Sequence, residues 1–358
     1  MQNQLKKSRT VWAVGALLLL SLTAMGAQAK TTAFTGTMKT KVDFNRTYTV
    51  EIADPLQTLT LSVPIPQSGS IFSYAVTASQ AAVDSNLAPT SETDVTDNYG
   101  NALHVIEYDN PPPETLTVHV NITGILLAVD LSHALPAAPF PVVNVPDDAA
   151  AYLQPTEHVQ SDSDTIRTLA QTITVGAKDE SGAAKAISRW MLANIAYDAG
   201  GPTARTPALT TLADHKARCD GWGNLYLALA RASGIPARYV GGYWITPQIS
   251  YTGAPAAPSQ IASDHTHTWI ELWFPGAGWV PYEPQLTAGF VDTNHLRVWE
   301  VPDSGMTSKT LNFTADSETK PNVTLKLTSA FANLTDTLAL TSAGVTDPAD
   351  AKSLYIRK

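Results

Sequence analysis

Residues 30–130 alternate apolar and polar positions in a way that predicts β-strands. Apolar side chains recur at every second residue in four segments, which is the period of a strand with one buried face. These positions are Tyr48, Val50 and Ile52, then Leu59, Leu61 and Val63, then Phe72, Tyr74 and Val76, and finally Leu116, Val118, Val120 and Ile122. Turn-forming residues at 97–101 and prolines at 111–113 separate the segments. The pattern predicts a small antiparallel sandwich, which serves for packing or spacing because it holds no chemical constellation.

A helical period follows the sandwich. Four prolines between residues 131 and 151 interrupt helix and strand alike, which marks a connection between domains. Apolar residues then recur at three- and four-residue spacing in three segments, and this spacing predicts amphipathic helices. The apolar positions are Ile166, Leu169, Ala170 and Ile173, then Ile187, Trp190, Met191 and Ile195, and then Trp222, Leu225, Tyr226 and Leu229.

Strand-like segments resume after the third helix. IPARYVGGYW and HTHTWIELWF are separated by residues 245–264, which are rich in proline, alanine and serine and predict either a mobile loop beside a site or irregular chain. WVPYEPQ follows after a turn at 275–278. Further alternation beyond residue 300 predicts strands that extend the core sheet or form a small third unit. The predicted fold class is α+β, with a β-sandwich over 30–135, an α+β core over 150–300 and a C-terminal β extension over 301–358.

Residues 1–29 have the composition of a secretory signal peptide. Three basic residues precede an apolar segment too short to span a bilayer with ease, and Ala27-Gln28-Ala29 matches a small-x-small cleavage site. We therefore expect an exported protein whose mature chain begins near Lys30 and which has no membrane contact after cleavage. An uncleaved membrane anchor is the alternative.

The charge of the chain argues against polyanionic partners. The formal net charge is −9, and removal of residues 1–29 takes away Lys6, Lys7 and Arg9 but no acidic residue, which leaves −12. Such a chain repels phosphate backbones and anionic lipid surfaces. Nucleic-acid binding is therefore excluded as the main function.

Cys219 is the single cysteine of the chain, so it has no partner for an intramolecular disulfide. A buried structural thiol, an intermolecular bridge and a reactive thiol are the remaining possibilities. The helical period of Trp222 and its neighbours places Cys219 at the first turn of the third helix, where the helix dipole and free amides favour a thiolate. A structural cysteine would instead fall on the apolar face, so position favours reactivity.

A nucleophilic thiolate needs a base and a group that orients the base. His267 is the best base, since it begins a predicted strand, and His265 is its rival on the same face. Glu283 is the candidate orienting acid, but a four-residue loop at 275–278 would pair it with Ile270 and turn it away. An extra loop residue or a bulge at the glycines would place it opposite Trp269 and diagonal to His267. We predict the bulge.

A metal hydrolase is the alternative use of this histidine pair. His265 and His267 on one strand project to one face, and Asp264 precedes them, which gives a workable start of a ligand set. A third protein ligand beyond this segment is not evident, and the thiol would then have no role.

Residues 152–299 resemble the transglutaminase-like superfamily of papain-related thiol enzymes, in the form found in exported bacterial proteins. The matching stretches are ANIAYD, ARCDGWGNLYLALARASGIPARYVGGYW and HTWIELWFPGAGWVPYEP. The family more often has aspartate before the last proline and glycine near the cysteine, so Glu283 and Arg218 are departures. The resemblance implies a periplasmic or extracellular location in a bacterium.

The resemblance also implies a function. Cys219 is then the nucleophile, His267 the general base and acid, and Glu283 the third member, acting on peptide or glutamine-type amides without metal or cofactor. Hydrolysis is favoured over cross-linking, because water is always available and no acceptor site is evident. Candidates for substrate contact are Tyr197, Trp222 and Trp269, although both tryptophans also suit the core. An inactive binding or scaffold module is the alternative.

Overall fold

Two antiparallel sheets packed face to face form a β-sandwich. The computed structural model describes residues 34–129, 135–198, 200–201, 205–244, 266–285, 290–306, 310–316 and 320–342. The strands of the sandwich are β1 (Phe34–Ile52), β2 (Thr58–Pro64), β3 (Gly69–Ile71), β4 (Tyr74–Ser85), β5 (Ser91–Thr96), β6 (Ala102–Asp109), β7 (Thr115–Val129), β14 (Leu311–Thr314) and β15 (Val323–Ser342). One sheet has the order β15-β1-β7-β4-β3 and the other the order β14-β2-β6-β5.

The alternation read from the sequence matches the buried face of these strands. In β2, for example, Leu59, Leu61 and Val63 are fully buried while the residues between them are not. Tyr48, Val50 and the alternating apolar residues of β7 share the same core. The predicted antiparallel strands are therefore confirmed except at Phe72, which lies in the turn between β3 and β4 and packs against the core around α5 instead.

The C-terminal strands lie in neither of the two places expected for them. β15 pairs with β1 along almost its whole length, and β14 pairs with β2. Each therefore extends one sheet of the sandwich instead of the core sheet or a third unit. The physical reason is that β1 and β2 offer free edges of matching alternation.

The helices include the three that were predicted. They are α1 (Asp147–Ala150), α2 (Asp164–Thr174), α3 (Glu180–Asn194), α4 (Ala208–Asp214) and α5 (Cys219–Ala232), with 3₁₀ turns at Ala151–Leu153 and Ser304–Met306. The Asp179 side chain caps α3 by accepting the Gly182 amide. Gly234, at φ 81°, follows the end of α5, as the sequence indicated.

A third antiparallel sheet carries the other residues of interest. Its strands are β10 (Ala237–Trp244), β11 (Thr266–Phe274), β12 (Gly278–Tyr282) and β13 (His295–Val301), in the order β12-β11-β10-β13. A short parallel pair, β8 (Ala196–Tyr197) with β9 (Lys216–Ala217), precedes α5. Ile270, Leu272 and Phe274 of β11 join the core around α5, as predicted for that face of the strand.

The sheet also packs against the sandwich, since Tyr243, Phe290, Leu296 and Val298 belong to the sandwich core. The fold class is α+β, as predicted. Among the residues that the structure describes, no helix has the length and apolarity needed to cross a membrane.

Candidate active site

Cys219 is the first residue of α5 and is half-buried. Arg218 before it has an extended backbone and accepts the Trp222 amide through its carbonyl oxygen at 3.0 Å. The Asp220 carboxylate accepts the amide of Thr206 at 2.8 Å and also the amides of Gly221 and of Asp220 itself. The amides of the first turn of the helix therefore have partners, and Cys219 lies at its N-terminal end.

His267 lies at the beginning of β11 between Cys219 and Glu283. Its Nε2 atom is 2.8 Å from Oε2 of Glu283, and the Cys219 side chain is hydrogen-bonded to the same ring. Since Nε2 faces the carboxylate, Nδ1 is the nitrogen left for the sulfur. The Trp244 ring lies 4.6 Å from the imidazole, centroid to centroid, and helps to enclose it. The structure thus brings together the three residues predicted as nucleophile, base and acid.

The register of β12 against β11 was predicted correctly, but its cause was not. Tyr282 pairs with Ile270, so Glu283, one residue later, lies level with Trp269 and diagonal to His267. The predicted bulge is wrong, since the pairing runs without a shift. A three-residue loop at 275–277 sets the register instead. In this loop the Ala277 amide donates to the Phe274 carbonyl at 3.1 Å, and Gly276 has a φ of 80°.

Burial and charge act in opposite directions on this pair. Burial alone would lower the pKa of His267, but the Glu283 carboxylate and the Cys219 sulfur outweigh it and raise the pKa to about 10. Burial would raise the pKa of Glu283, but His267 and His295 lower it to about 2. Both shifts favour the charged forms, an imidazolium at His267 and a carboxylate at Glu283.

His295 is a fourth member of the site that sequence reasoning missed. It is the first residue of β13, and its Nε2 atom lies 3.3 Å from Oε2 of Glu283. Its Nδ1 atom lies 2.7 Å from Asp292. Burial would lower the pKa of His295, but Asp292 and Glu283 raise it. The one available signal was the DTNH segment, in which Asp292 also accepts the Asn294 amide and so forms a tight turn before the strand.

Tyr197, at the end of β8, is the candidate for substrate contact that remains accessible. It is half-buried, and the nearby Cys219 charge, after burial itself, raises the pKa of its phenol to about 12. The phenol is therefore protonated and able to donate a hydrogen bond at neutral pH.

Trp222 and Trp269 lie in the supporting core. Trp222 is 3% exposed and its indole N–H donates to the Ala196 carbonyl at 3.2 Å, which ties β8 to α5. Trp269 is 1% exposed and packs edge-on against the His295 ring at 5.1 Å. Their burial corrects the expectation of substrate contact, because neither indole presents a face to the outside.

The predicted metal ligands are only partly placed, because Asp264 and His265 lie outside the described residues. Among the described residues, His267, Glu283 and His295 have donor atoms within 4.8 Å of one another, which is compatible with a zinc-type ligand set. A metal would need both imidazoles neutral, whereas the neighbouring carboxylates hold their pKa values up. The raised pKa values of both histidines favour imidazolium ions beside the Glu283 carboxylate over metal ligands.

A cysteine at a helix start, with histidine and acid on neighbouring antiparallel strands, is the arrangement of thiol-enzyme folds. Residues 167–284 match the model of the transglutaminase-like superfamily. This segment of the chain belongs to that superfamily, as the sequence motifs predicted.

Two bacterial relatives match part of the chain. The uncharacterised protein YebA of Bacillus subtilis is 32% identical over 87 residues, which are 24% of this chain and 12% of that protein. The uncharacterised protein ML0607 of Mycobacterium leprae is 28% identical over 99 residues, which are 28% of this chain and 33% of that protein. The matched region thus spans a third or less of either relative.

A solved structure covers more of the chain. A protein from Cytophaga hutchinsonii, described as a candidate cysteine protease, has a TM-score of 0.56 and 17% identity, and the alignment covers 88% of this chain and 94% of that one. At this identity the likeness shows a shared fold. It extends beyond the segment matched by the family model.

Proposed function

We propose that this protein is a thiol enzyme that cleaves peptide or glutamine-type amides through Cys219, His267 and Glu283. The observation that carries the proposal is the buried row in which one imidazole is hydrogen-bonded to the half-buried thiol on one side and to a carboxylate, 2.8 Å away, on the other. A nucleophile, its base and the group that orients the base are thereby in contact.

The resting state in this proposal is an ion pair. The imidazolium of His267 stabilises a thiolate at Cys219 by its charge, and the Glu283 carboxylate keeps the imidazole protonated and fixes its orientation. Cys219 is half-buried, so part of its surface remains exposed to a substrate. A reactive thiol needs a stabilised negative charge and access to the substrate. His267 supplies the first, and the half-buried position of Cys219 supplies the second.

Acyl transfer then proceeds in two steps. The thiolate attacks the amide carbonyl carbon, and His267 gives its proton to the departing amine, which leaves a thioester on Cys219. Neutral His267 next takes a proton from water as the oxygen attacks the thioester. Collapse of that intermediate releases the acid and restores the thiolate and the imidazolium.

The oxyanion formed in each step needs donors. The Cys219 amide is suited to this role, because Arg218 and Asp220 already engage the three amides that follow it. Tyr197 is the second donor in the proposal, since its phenol stays protonated near the sulfur. The indole N–H of Trp222 is not available for this role, because it already donates to the Ala196 carbonyl.

Hydrolysis is the favoured outcome over transfer to a second amine, because water is always present and the described residues offer no recognisable acceptor site. The proposal places the mature chain outside the cytoplasm, in keeping with the signal-peptide pattern of residues 1–29. Its partner is a peptide or protein substrate.

Thiol alkylation tests the proposal without knowledge of the substrate. Wild type should react with iodoacetamide at about pH 6 faster than free cysteine, which is mostly protonated there. His267→Ala should lose this advantage. A wild-type thiol that reacts no faster than free cysteine would favour the scaffold alternative.

A peptide library then identifies the reaction. Products that gain water with wild type but not with Cys219→Ala support hydrolysis. Products that lose ammonia and join together would show cross-linking instead.

A further inference from the structure

His295 and Asp292 continue the row of charges beyond Glu283. The order of groups is Cys219, His267, Glu283, His295 and Asp292, and each adjacent pair carries opposite charges when the thiol is ionised. His295 is 2% exposed and Asp292 is 4% exposed. Nδ1 of His295 is bonded to Asp292, whereas its Nε2 atom has no hydrogen-bond partner among the described residues and faces Glu283 as a charge.

Both imidazoles approach the same carboxylate oxygen. Oε2 of Glu283 lies 2.8 Å from Nε2 of His267 and 3.3 Å from Nε2 of His295, whereas Oε1 accepts the Gln285 amide at 3.1 Å. Oε1 is therefore fixed by the Gln285 amide, and Oε2 lies between the two imidazoles. Its position relative to His267 depends on where His295 lies.

His295 is in turn fixed by the β-sandwich. The Tyr74 hydroxyl of β4 donates to the His295 carbonyl, and the Thr40 hydroxyl of β1 is 2.7 Å from that of Thr293. Both contacts join residues more than 200 positions apart in the chain. The sandwich thus sets the position of the turn that carries Asp292 and His295.

We propose that His295, held by Asp292 and by the sandwich, is a positioning residue that orients Glu283 and adds a positive charge to the site. The role of His295 in catalysis rests on the proposed function, whereas the contacts that hold His295 in place do not depend on it. The titratable groups that face His295 are Asp292 before β13, Glu283 after β12, His267 on β11 and Tyr74 on β4.

The added charge gives a signed expectation. A cation within a few ångströms of Glu283 makes protons easier to lose from every neighbouring group. Removal of that cation should therefore move protonation midpoints at the site to higher pH. A residue that merely fills space would alter stability and leave those midpoints unchanged.

The test compares His295→Gln and Asp292→Asn with wild type by the pH dependence of Cys219 alkylation. We expect the midpoint to rise by about one pH unit in His295→Gln and in the same direction in Asp292→Asn. His104→Gln is the matched control, since His104 also lies 2.7 Å from an aspartate, Asp94, but in the outer part of the sandwich. It should leave the midpoint unchanged.

A substrate, once found, adds a second readout. His295→Gln should lower kcat by about tenfold or more with little change in KM, because a displaced Glu283 misorients the general acid. An unmoved alkylation midpoint in both variants would overturn the inference even if they melt at lower temperature.

Failure of the positioning role and failure of the proposed function give different results. If wild type itself lacks a fast-reacting thiol, the proposed function fails; if wild type reacts fast and His295→Gln matches it throughout, only the positioning role fails.

Wild type should also keep its activity in EDTA. Loss of activity in EDTA with recovery on addition of Zn²⁺ would replace the row of charges by a metal centre at His267, Glu283 and His295.

Discussion

His267 and Glu283 form a buried ion pair, with Nε2 of the imidazole 2.8 Å from Oε2 of the carboxylate. The charge of each residue stabilises the charged form of the other, so the pKa of His267 rises to about 10 and that of Glu283 falls to about 2. The contribution of His267 to stability is complete below its ordinary value of 6.5 and is lost as pH rises through about 10. That of Glu283 is present above its ordinary value of 4.5 and is lost as pH falls through about 2.

Substitution of Glu283 tests the electrostatic half of this pair. Glu283→Gln keeps the shape but removes the charge, so the pKa of His267 should fall and the alkaline limit of activity should move to lower pH. We expect kcat to fall by about a hundredfold, as for loss of general acid–base assistance. NMR titration of the His267 ring measures the shift directly.

Glu283→Asp is the control, since it keeps the charge on a side chain shorter by one methylene. It should retain a raised His267 pKa with part of the activity. An alkaline limit that stays in place in Glu283→Gln would contradict the role assigned to the carboxylate.

Gly242 maintains the close approach of β13 to β10 beside this pair. It is level with His267 across the β10–β11 ladder, and a Cβ atom at this position would overlap the Leu296 carbonyl oxygen. Because that oxygen belongs to the backbone, Gly242→Ala should displace β13 and cost roughly 1 to 3 kcal/mol. Chemical denaturation measures the loss.

Displacement of β13 should also carry His295 away from Glu283, so Cys219 alkylation should change in the same variant. Gly69→Ala is the matched control, because Gly69 also lies in a strand and an added Cβ there would have no neighbouring atom within 4 Å. Equal stability of the two variants would show that the sheet yields at Gly242 without cost.

Local periodicity accounts for what the sequence predicted. The alternating segments form β-strands, and the helical period of Trp222 and Leu225 placed Cys219 at the start of α5. These properties depend on neighbours within a few residues. The phase of Glu283 against His267 was also accessible, because a short hairpin allows few registers.

Long-range placement accounts for what was missed. Apolar and polar residues alternate in β14 and β15 in a way that suits any open sheet edge. No local sequence feature therefore assigns these strands to β2 and β1. His295 is brought to Glu283 by pairing with Trp244, after a register shift between Gly241 and Gly242. Such a shift has no signature in the residues that precede His295, since the fold of β10 determines it.

Tyr74 tests whether the sandwich supports the site. Tyr74→Phe removes the hydroxyl that donates to the His295 carbonyl and should cost about 1 kcal/mol of stability. Through His295 it should also slow Cys219 alkylation near neutral pH. Chemical denaturation measures the stability, and the rate of Cys219 alkylation is measured on the same preparation.

Tyr108→Phe is the matched control, because the Tyr108 hydroxyl is bonded to Ser85 at 2.9 Å within the sandwich. It should lose similar stability and leave alkylation at the wild-type rate. If both variants alkylate alike, the sandwich supports the fold but not the site.

Glu180 gives the stability of the core a pH dependence that is separate from the site. Its carboxylate is fully buried at the start of α3, and neither oxygen has a hydrogen-bond partner among the described residues. Burial raises its pKa from 4.5 to about 8. A raised carboxylate pKa stabilises the fold only while the group is protonated, so stability falls as pH rises from about 4.5 to about 8.

Glu180→Gln removes this titration, so its stability should vary less with pH over that range than that of wild type. Each unit of pKa shift corresponds to about 1.4 kcal/mol, so the wild-type loss across the range should reach a few kcal/mol. Denaturation midpoints at several pH values give the slope of stability against pH. A pH-independent cost of burying the amide in Glu180→Gln would shift the whole curve and leave this slope unchanged. Glu114→Gln, which changes an exposed carboxylate, should keep the wild-type slope. Parallel curves for wild type and Glu180→Gln would mean that the Glu180 carboxylate is ionised or solvated in the folded protein.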